Sequence, residues 1–252
     1  MNADAYLKRI LTLEAVDAGP SSPVRSVQTV IRPIIQEWAG TYLVNVSPSG
    51  SFAKGTANRS GTDIDLFISL SQDTPNTLNE IYSKLFNRMT EKGFSPKRQN
   101  VSINVRVNGY DVDLVPARRQ DATSQDHSLY RRRADTWTKT NVAKHIAYVS
   151  QSGRTQEARV LKLWRNQKGI DFPSFYLELT VINALSGARG SLSENVFTVF
   201  RYLRDTFPAA RVIDPANTNN LLSEDLTVAE RVQVKAAAER ALAATDWNQI
   251  VT

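Results

Sequence analysis

Two aspartates, Asp63 and Asp65, alternate along a run that is otherwise apolar, with Ile64, Leu66, Phe67 and Ile68 around them. Successive strand side chains point to opposite faces, so both carboxylates lie on one face. Two acids held side by side repel each other, and the arrangement becomes favourable when a divalent cation sits between them. Just ahead lies Gly50-Ser51-Phe52-Ala53-Lys54-Gly55-Thr56. A small Gly-Ser turn of this kind holds phosphate through backbone N–H groups and the Ser51 hydroxyl. A phosphate seat beside a metal seat is the equipment for phosphoryl or nucleotidyl transfer.

The run from Val101 to Pro116 reads as a hairpin, because both halves alternate and Asn108-Gly109 is a strong two-residue turn signal. Its second strand presents Asp111 and Asp113 on one face. If this strand pairs beside the first, one of these two acids reaches the pair already placed. A lone D-x-D reads as a solvated strand edge; the Gly-Ser turn and two such strands together point to a metal site. Three carboxylates around two magnesium ions divide the labour: one ion activates the attacking hydroxyl and the other neutralises the triphosphate.

The strings G-S-F-A-K-G-T, D-I-D-L-F and Y-D-V-D-L-V-P-A resemble the polymerase-beta nucleotidyltransferase superfamily. Within it the chain is similar to the branch of class I CCA-adding enzymes, oligoadenylate synthetases and bacterial cGAS-like cyclic-oligonucleotide synthases. The resemblance implies that Asp63, Asp65 and Asp113 are the catalytic metal ligands, with Asp111 a neighbour. It implies two Mg²⁺ (or Mn²⁺) ions. It also implies that Ser51, on Gly50, and the basic residue three positions on, Lys54, touch the triphosphate.

The second half extends the resemblance. Thr155 to Lys168 has helical spacing, with Ala158, Leu161, Leu163 and Trp164 apolar and Lys162 among them. Alone, Lys162 reads as a snorkelling lysine with a wet head; the similarity of V-L-K-L-W to a family helix implies a triphosphate clamp. Pro173 and Ser174 are start signals for a further helix, with Ser174 as N-cap. The family pattern around Leu177-Glu178 implies that Ser174 touches nucleotide and Phe175 stacks on the base. Several relatives carry tyrosine there, which keeps Tyr176 as the alternative stacker. His145 resembles a histidine that reaches the triphosphate in CCA-adding enzymes; by itself it reads equally as a surface or core histidine. The D-P-x-x-x-x-N loop from Asp214 to Asn220 reads as a fixed structural loop.

The expected fold class is α/β (α+β). An N-terminal nucleotidyltransferase lobe with a small mixed sheet (1–140) precedes a helical nucleotide-binding lobe (141–252), with the nucleotide in the cleft between them. The N-terminal helix is a candidate to pack on the second lobe. Ser26 to Ala39 reads as a helix with a kink or break at Pro33. The hairpin from Val101 to Val115 is expected to close the sheet, and the chain to be helical from about Asn141. Ser191–Glu194 and Thr227–Glu230 read as capping boxes.

The chain of 252 residues has no cysteine, which excludes disulfides and a cysteine-based zinc ribbon. The first 19 residues lack a continuous apolar core, so neither a signal peptide nor a membrane span is expected, and the cytoplasm is the expected location. Net charge is +6, and residues 88–133 carry ten basic against five acidic residues. That surplus draws anionic substrates and makes this region, with Arg131-Arg132-Arg133, the candidate RNA patch. The expected activity is joining of NTPs, ATP among them, with release of pyrophosphate, in a cyclic or linear oligonucleotide messenger synthase of antiphage defence. The alternatives are nucleotide addition to RNA, a nucleotidylating toxin and an inactive nucleotide- or RNA-binding module. The chain ends at Thr252 without the further domains of CCA-adding enzymes, which argues against autonomous CCA addition.

Overall fold

The computed structural model describes residues 2–17, 19, 21–61 and 63–252. In chain order the elements are α1 (Ala3–Leu13), α2 (Pro23–Ala39), β1 (Leu43–Pro48), α3 (Gly50–Lys54), β2 (Ile64–Leu70), α4 (Leu78–Glu91), β3 (Lys97–Arg98) and β4 (Ile103–Val107). There follow β5 (Tyr110–Arg119), β6 (His127–Arg131), β7 (Thr136–Thr140), α5 (Val142–Ser150), α6 (Thr155–Gln167) and α7 (Ser174–Ala184). The last are α8 (Leu192–Asp205), β8 (Ile213–Asp214), β9 (Asn217–Leu221), α9 (Val228–Ala243) and α10 (Trp247–Ile250). The chain forms two compact units: a sheet unit of residues 17–53 and 63–146, and a helical unit of 1–16, 54–62 and 147–252. This is the α/β architecture expected. None of the helices, over the described residues, is long and apolar enough to cross a membrane.

The sheet unit is built on a seven-stranded mixed sheet ordered β1-β2-β5-β4-β3, with β6 and β7 added on β5. β2 and β5 run parallel, and the other pairs are antiparallel. The alternation in β2 decides its faces. Ile64, Leu66, Ile68 and Leu70 pack against Val27, Ile31 and Ile35 of α2 and Ile81, Leu85 and Met89 of α4. The opposite face is left to Asp65, Phe67 and Ser69. Asn108 and Gly109 both take positive φ, 51° and 85°, the conformation a two-residue turn matching strand twist demands. Pro116 is tolerated in β5 because it lies past the last β4 pair, Ile103–Leu114, and before β6 joins at Arg118.

Three expectations are corrected here. Of the kink or break expected at Pro33, the break is absent: α2 continues through it, its buried stripe of Val24, Val27, Ile31 and Ile35 holding the helix in place. The 101–115 hairpin does not close the sheet, since β6 and β7 extend it beyond. The region after Asn141 is not wholly helical, because β8 and β9 form a two-stranded ribbon. At that ribbon Asp214 accepts the N–H of Ala216 at 2.8 Å and the side-chain amide of Asn220 at 3.1 Å, which fixes the loop.

In the helical unit, Trp164, Phe172, Tyr176, Phe200 and Phe207 form the aromatic centre of the core, and Leu7, Ile10 and Leu11 of α1 join it. The expected capping boxes open α8 at Ser191 and α9 at Thr227, and a third opens α4 at Thr77.

Candidate active site

The strand register gathers the acids of the sheet unit. Asp65 of β2 lies directly opposite Asp113 of the parallel strand β5. Neighbouring strands lie about 4.8 Å apart, so the two carboxylates rise side by side from the same face. Asp63 is two residues before Asp65 and on the same side. Loss of water around Asp63, together with the negative charges of Asp113 and Asp111, pushes its carboxyl above the ordinary range. Asp113 is pushed up by burial, against the hydrogen bonds it accepts from Asn104 (2.9 Å) and Ser102 (3.3 Å). Gln99 donates a third bond, at 3.2 Å. Asp111 is exposed and pairs with Arg106 at 3.7 Å.

Among the described residues no group of three or more His, Cys, Asp and Glu is drawn together as a ready metal site. Asp113 is turned toward its three polar neighbours. The acids nonetheless suit a hard cation: all three offer carboxylate oxygen, and their mutual repulsion is what a bound Mg²⁺ relieves.

Gly50 opens α3 with φ +56°, and a Cβ there would fall 1.7 Å from Asp65 Oδ2. The Gly-Ser turn therefore lies beneath the Asp65 carboxylate, and Ser49 N–H donates to the Asp65 carbonyl at 2.8 Å. Ser51 stands in the first turn of α3. Gly50→Ala is expected to displace Asp65, lowering turnover by about a hundredfold, and to cost about 1 kcal/mol or more through the left-handed backbone. Steady-state kinetics and thermal melts of the variant check this; wild-type turnover would mean the close approach is unimportant.

The helical unit carries a second cluster. Lys54 and Lys162 both pair with Glu178, Lys162 at 2.6 Å to Oε1 and Lys54 to Oε2. Thr56 donates its hydroxyl to Glu178 and accepts from Lys162 Nζ at 3.0 Å. Lys54, Lys162 and Glu178 are 6%, 4% and 0% exposed. Lys162 is thus not the wet-headed lysine its spacing suggests; its ammonium is held inside. Burial lowers it to about 8, with Glu178 pulling the other way and Lys54 adding to the fall. Burial also opposes ionisation of Glu178, but Lys162 and Lys54 outweigh it and hold the carboxyl below its usual range.

Phe175 is half-buried, with Lys54 Nζ 4.9 Å from its ring centroid. Tyr176 is fully buried and packs against Phe172 and Phe207 at 5.0 and 5.6 Å between centroids. Of the two aromatics, Tyr176 is therefore core, and Phe175 is the ring with an accessible side. Ser174 is not the cap of α7: Pro173 occupies that position without a side-chain bond, and the Ser174 hydroxyl accepts from Arg165 at 3.0 Å. Its helix starts one residue earlier than expected because the fixed φ of Pro173 already sets the entry. His145 is half-buried on α5, in the sheet unit.

Sequence reasoning passed over Glu178 and Thr56, and Gln99, Ser102 and Asn104 around Asp113. A signal existed for Glu178, a charged residue inside the run Tyr176-Leu177-Glu178-Leu179, where only a paired carboxylate is stable.

Residues 31–133 match the family model of the nucleotidyltransferase domain. The chain is 26% identical over 219 residues to the cyclic AMP-AMP-AMP synthase of Escherichia coli strain MS 115-1, covering 71% of this chain and 68% of that protein. Its fold superposes on E. coli MS115-1 CdnC with ATP at a TM-score of 0.72, with 22% identity over 98% of this chain and 92% of the other. It superposes on Bradyrhizobium diazoefficiens CdnG in complex with GTP at 0.76, with 14% identity over 95% and 89%. Residues 31–133, with the acid-bearing strands in register among them, thus form a nucleotidyltransferase domain, and the chain is similar in fold to the bacterial CdnC and CdnG proteins.

Proposed function

We propose that this protein joins NTPs, ATP among them, into a cyclic or linear oligonucleotide second messenger in antiphage defence. The observation that carries the reading is the cross-strand placement of Asp65 beside Asp113, with Asp63 on the same side. Asp63, Asp65 and Asp113 would hold two Mg²⁺ or Mn²⁺ ions. When bound, such ions make a ribose hydroxyl a better nucleophile and neutralise the leaving pyrophosphate. Gly50 and Ser51 would seat phosphate oxygens, and Lys54 and Lys162 would bind the triphosphate. Phe175 would stack on the base, with Ser174 and His145 as further polar contacts to the nucleotide. The naming of the E. coli relative as a cyclic AMP-AMP-AMP synthase supports a messenger product.

Addition of nucleotides to RNA is the second reading. It is favoured by the β6–β7 hairpin, where Arg131, Arg132, Arg133 and Trp137 are all exposed. In the messenger reading the same surface would bind a nucleic-acid activator. Incubation with Mg²⁺ or Mn²⁺ and all four NTPs, with and without RNA, separates the two. Mass analysis after phosphatase treatment is expected to show a short oligonucleotide made from NTPs alone. Extended RNA with no free oligonucleotide would overturn the messenger reading.

A further inference from the structure

Two lysines and one carboxylate meet at a single buried point of the helical unit, and the carboxylate is the most enclosed of the three. We propose that Glu178 is the positioning residue of the triphosphate seat, holding Lys54 and Lys162 charged, adjacent and fixed before nucleotide arrives. This rests on the reading that those two lysines take the triphosphate.

The geometry supplies the argument. Each Glu178 oxygen takes one ammonium, Oε1 from Lys162 and Oε2 from Lys54, so one planar group sets the spacing of both cations. Thr56 ties the arrangement together by donating to Oε1 and accepting from Lys162. Two ammonium groups this close and this dry repel strongly, and without an anion between them one would lose its proton. With Glu178 in place the trio keeps a single positive charge. A triphosphate then meets a preformed cationic seat and need not order two long side chains on arrival. The charged groups acting on Lys162 are Glu178 from α7, Lys54 from α3 and Arg165 on its own helix.

The role predicts a shift that a merely structural residue would not give. Glu178→Gln keeps the shape and removes the charge. Lys162, deprived of the anion that favours its charged form, then loses its proton at lower pH than in the wild type, where it does so at about pH 8. The alkaline weakening of ATP binding moves down with it.

The measurement is KM for ATP, and kcat, from pyrophosphate release by wild-type protein and Glu178→Gln across about pH 6 to 9. The alkaline rise in KM is expected to begin at lower pH in the variant, by about one pH unit or more. A KM raised by the same factor at every pH, or an alkaline break unmoved from wild type, would overturn the proposal. Should Glu178→Gln fail to fold, Lys54→Gln removes the other ammonium beside Lys162. The alkaline break in its KM profile is then expected to move up, and an unmoved break counts against the proposal equally. Lys162→Met separates this idea from the reading beneath it. If that variant leaves KM for ATP untouched, the lysine seat itself is wrong. If it raises KM while Glu178→Gln leaves the alkaline break unmoved, only the positioning role is lost.

Discussion

Asp65→Asn and Asp113→Asn are each expected to reduce pyrophosphate release at least about a thousandfold while leaving the fold intact. Both lie at the same level of the parallel β2–β5 pair. In the proposed mechanism, neutralising either removes one charge from the group that would hold the metal ions against the triphosphate. Asn at position 113 still accepts from Asn104 and Gln99 through its one oxygen, and its NH2 can donate to the Ser102 hydroxyl in place of the bond accepted there, so the strand should not shift. The thermal stability of Asp113→Asn should be unchanged or higher. Burial and neighbouring charge raise Asp113 and Asp63 in the folded state. A carboxyl raised on folding contributes stability that is fully present below its unfolded value and lost as pH rises through its folded value. The benefit of Asn should therefore appear at about pH 7 and vanish near about pH 3. Turnover by either variant at the native rate would end the assignment.

Lys162→Met has the second large expected effect, and it reaches both binding and stability. It leaves Glu178, wholly buried, with Lys54 alone as counter-charge. Removing one partner of a buried ionic group costs about 3 kcal/mol, and here the remaining lysine holds the loss at or below that figure. KM for ATP should rise about tenfold or more, since a desolvated ammonium would be lost from the triphosphate. Chemical denaturation and steady-state kinetics read the two effects separately. In the wild type, ATP affinity should fall above about pH 8, where burial makes Lys162 give up its proton. Lys162→Arg, charged throughout that range, should lack this alkaline loss.

Much of the fold was legible because its signals are local. β2 declares itself by alternation, the β4–β5 turn by Asn108-Gly109, and the starts of α8 and α9 by Ser191–Glu194 and Thr227–Glu230. The β6–β7 hairpin was not legible. Arg131-Arg132-Arg133 is wholly polar, and in Thr136-Trp137-Thr138-Lys139-Thr140 the one large apolar side chain, Trp137, is exposed, so little distinguishes these stretches from a solvated loop. Pro33 misled in the other direction: it removes one helical bond, but the apolar stripe of α2 packed on the sheet outweighs that loss.

The amino-acid order by itself determined which residue types alternate, cap and turn, since those preferences act between positions a few residues apart. It therefore determined that acids, glycine and serine stand in strand and turn settings suited to phosphate and metal. Only the tertiary structure decided that Asp113 faces Asp65, and that Glu178 meets Lys54 and Thr56 across more than a hundred residues of chain. It also decided that Tyr176 is spent in the core while Phe175 is only half-buried. The physical reason is that a buried charge is stable only beside its opposite. Which opposite it finds is fixed by strand register and helix packing, and neither is written in any short stretch of sequence.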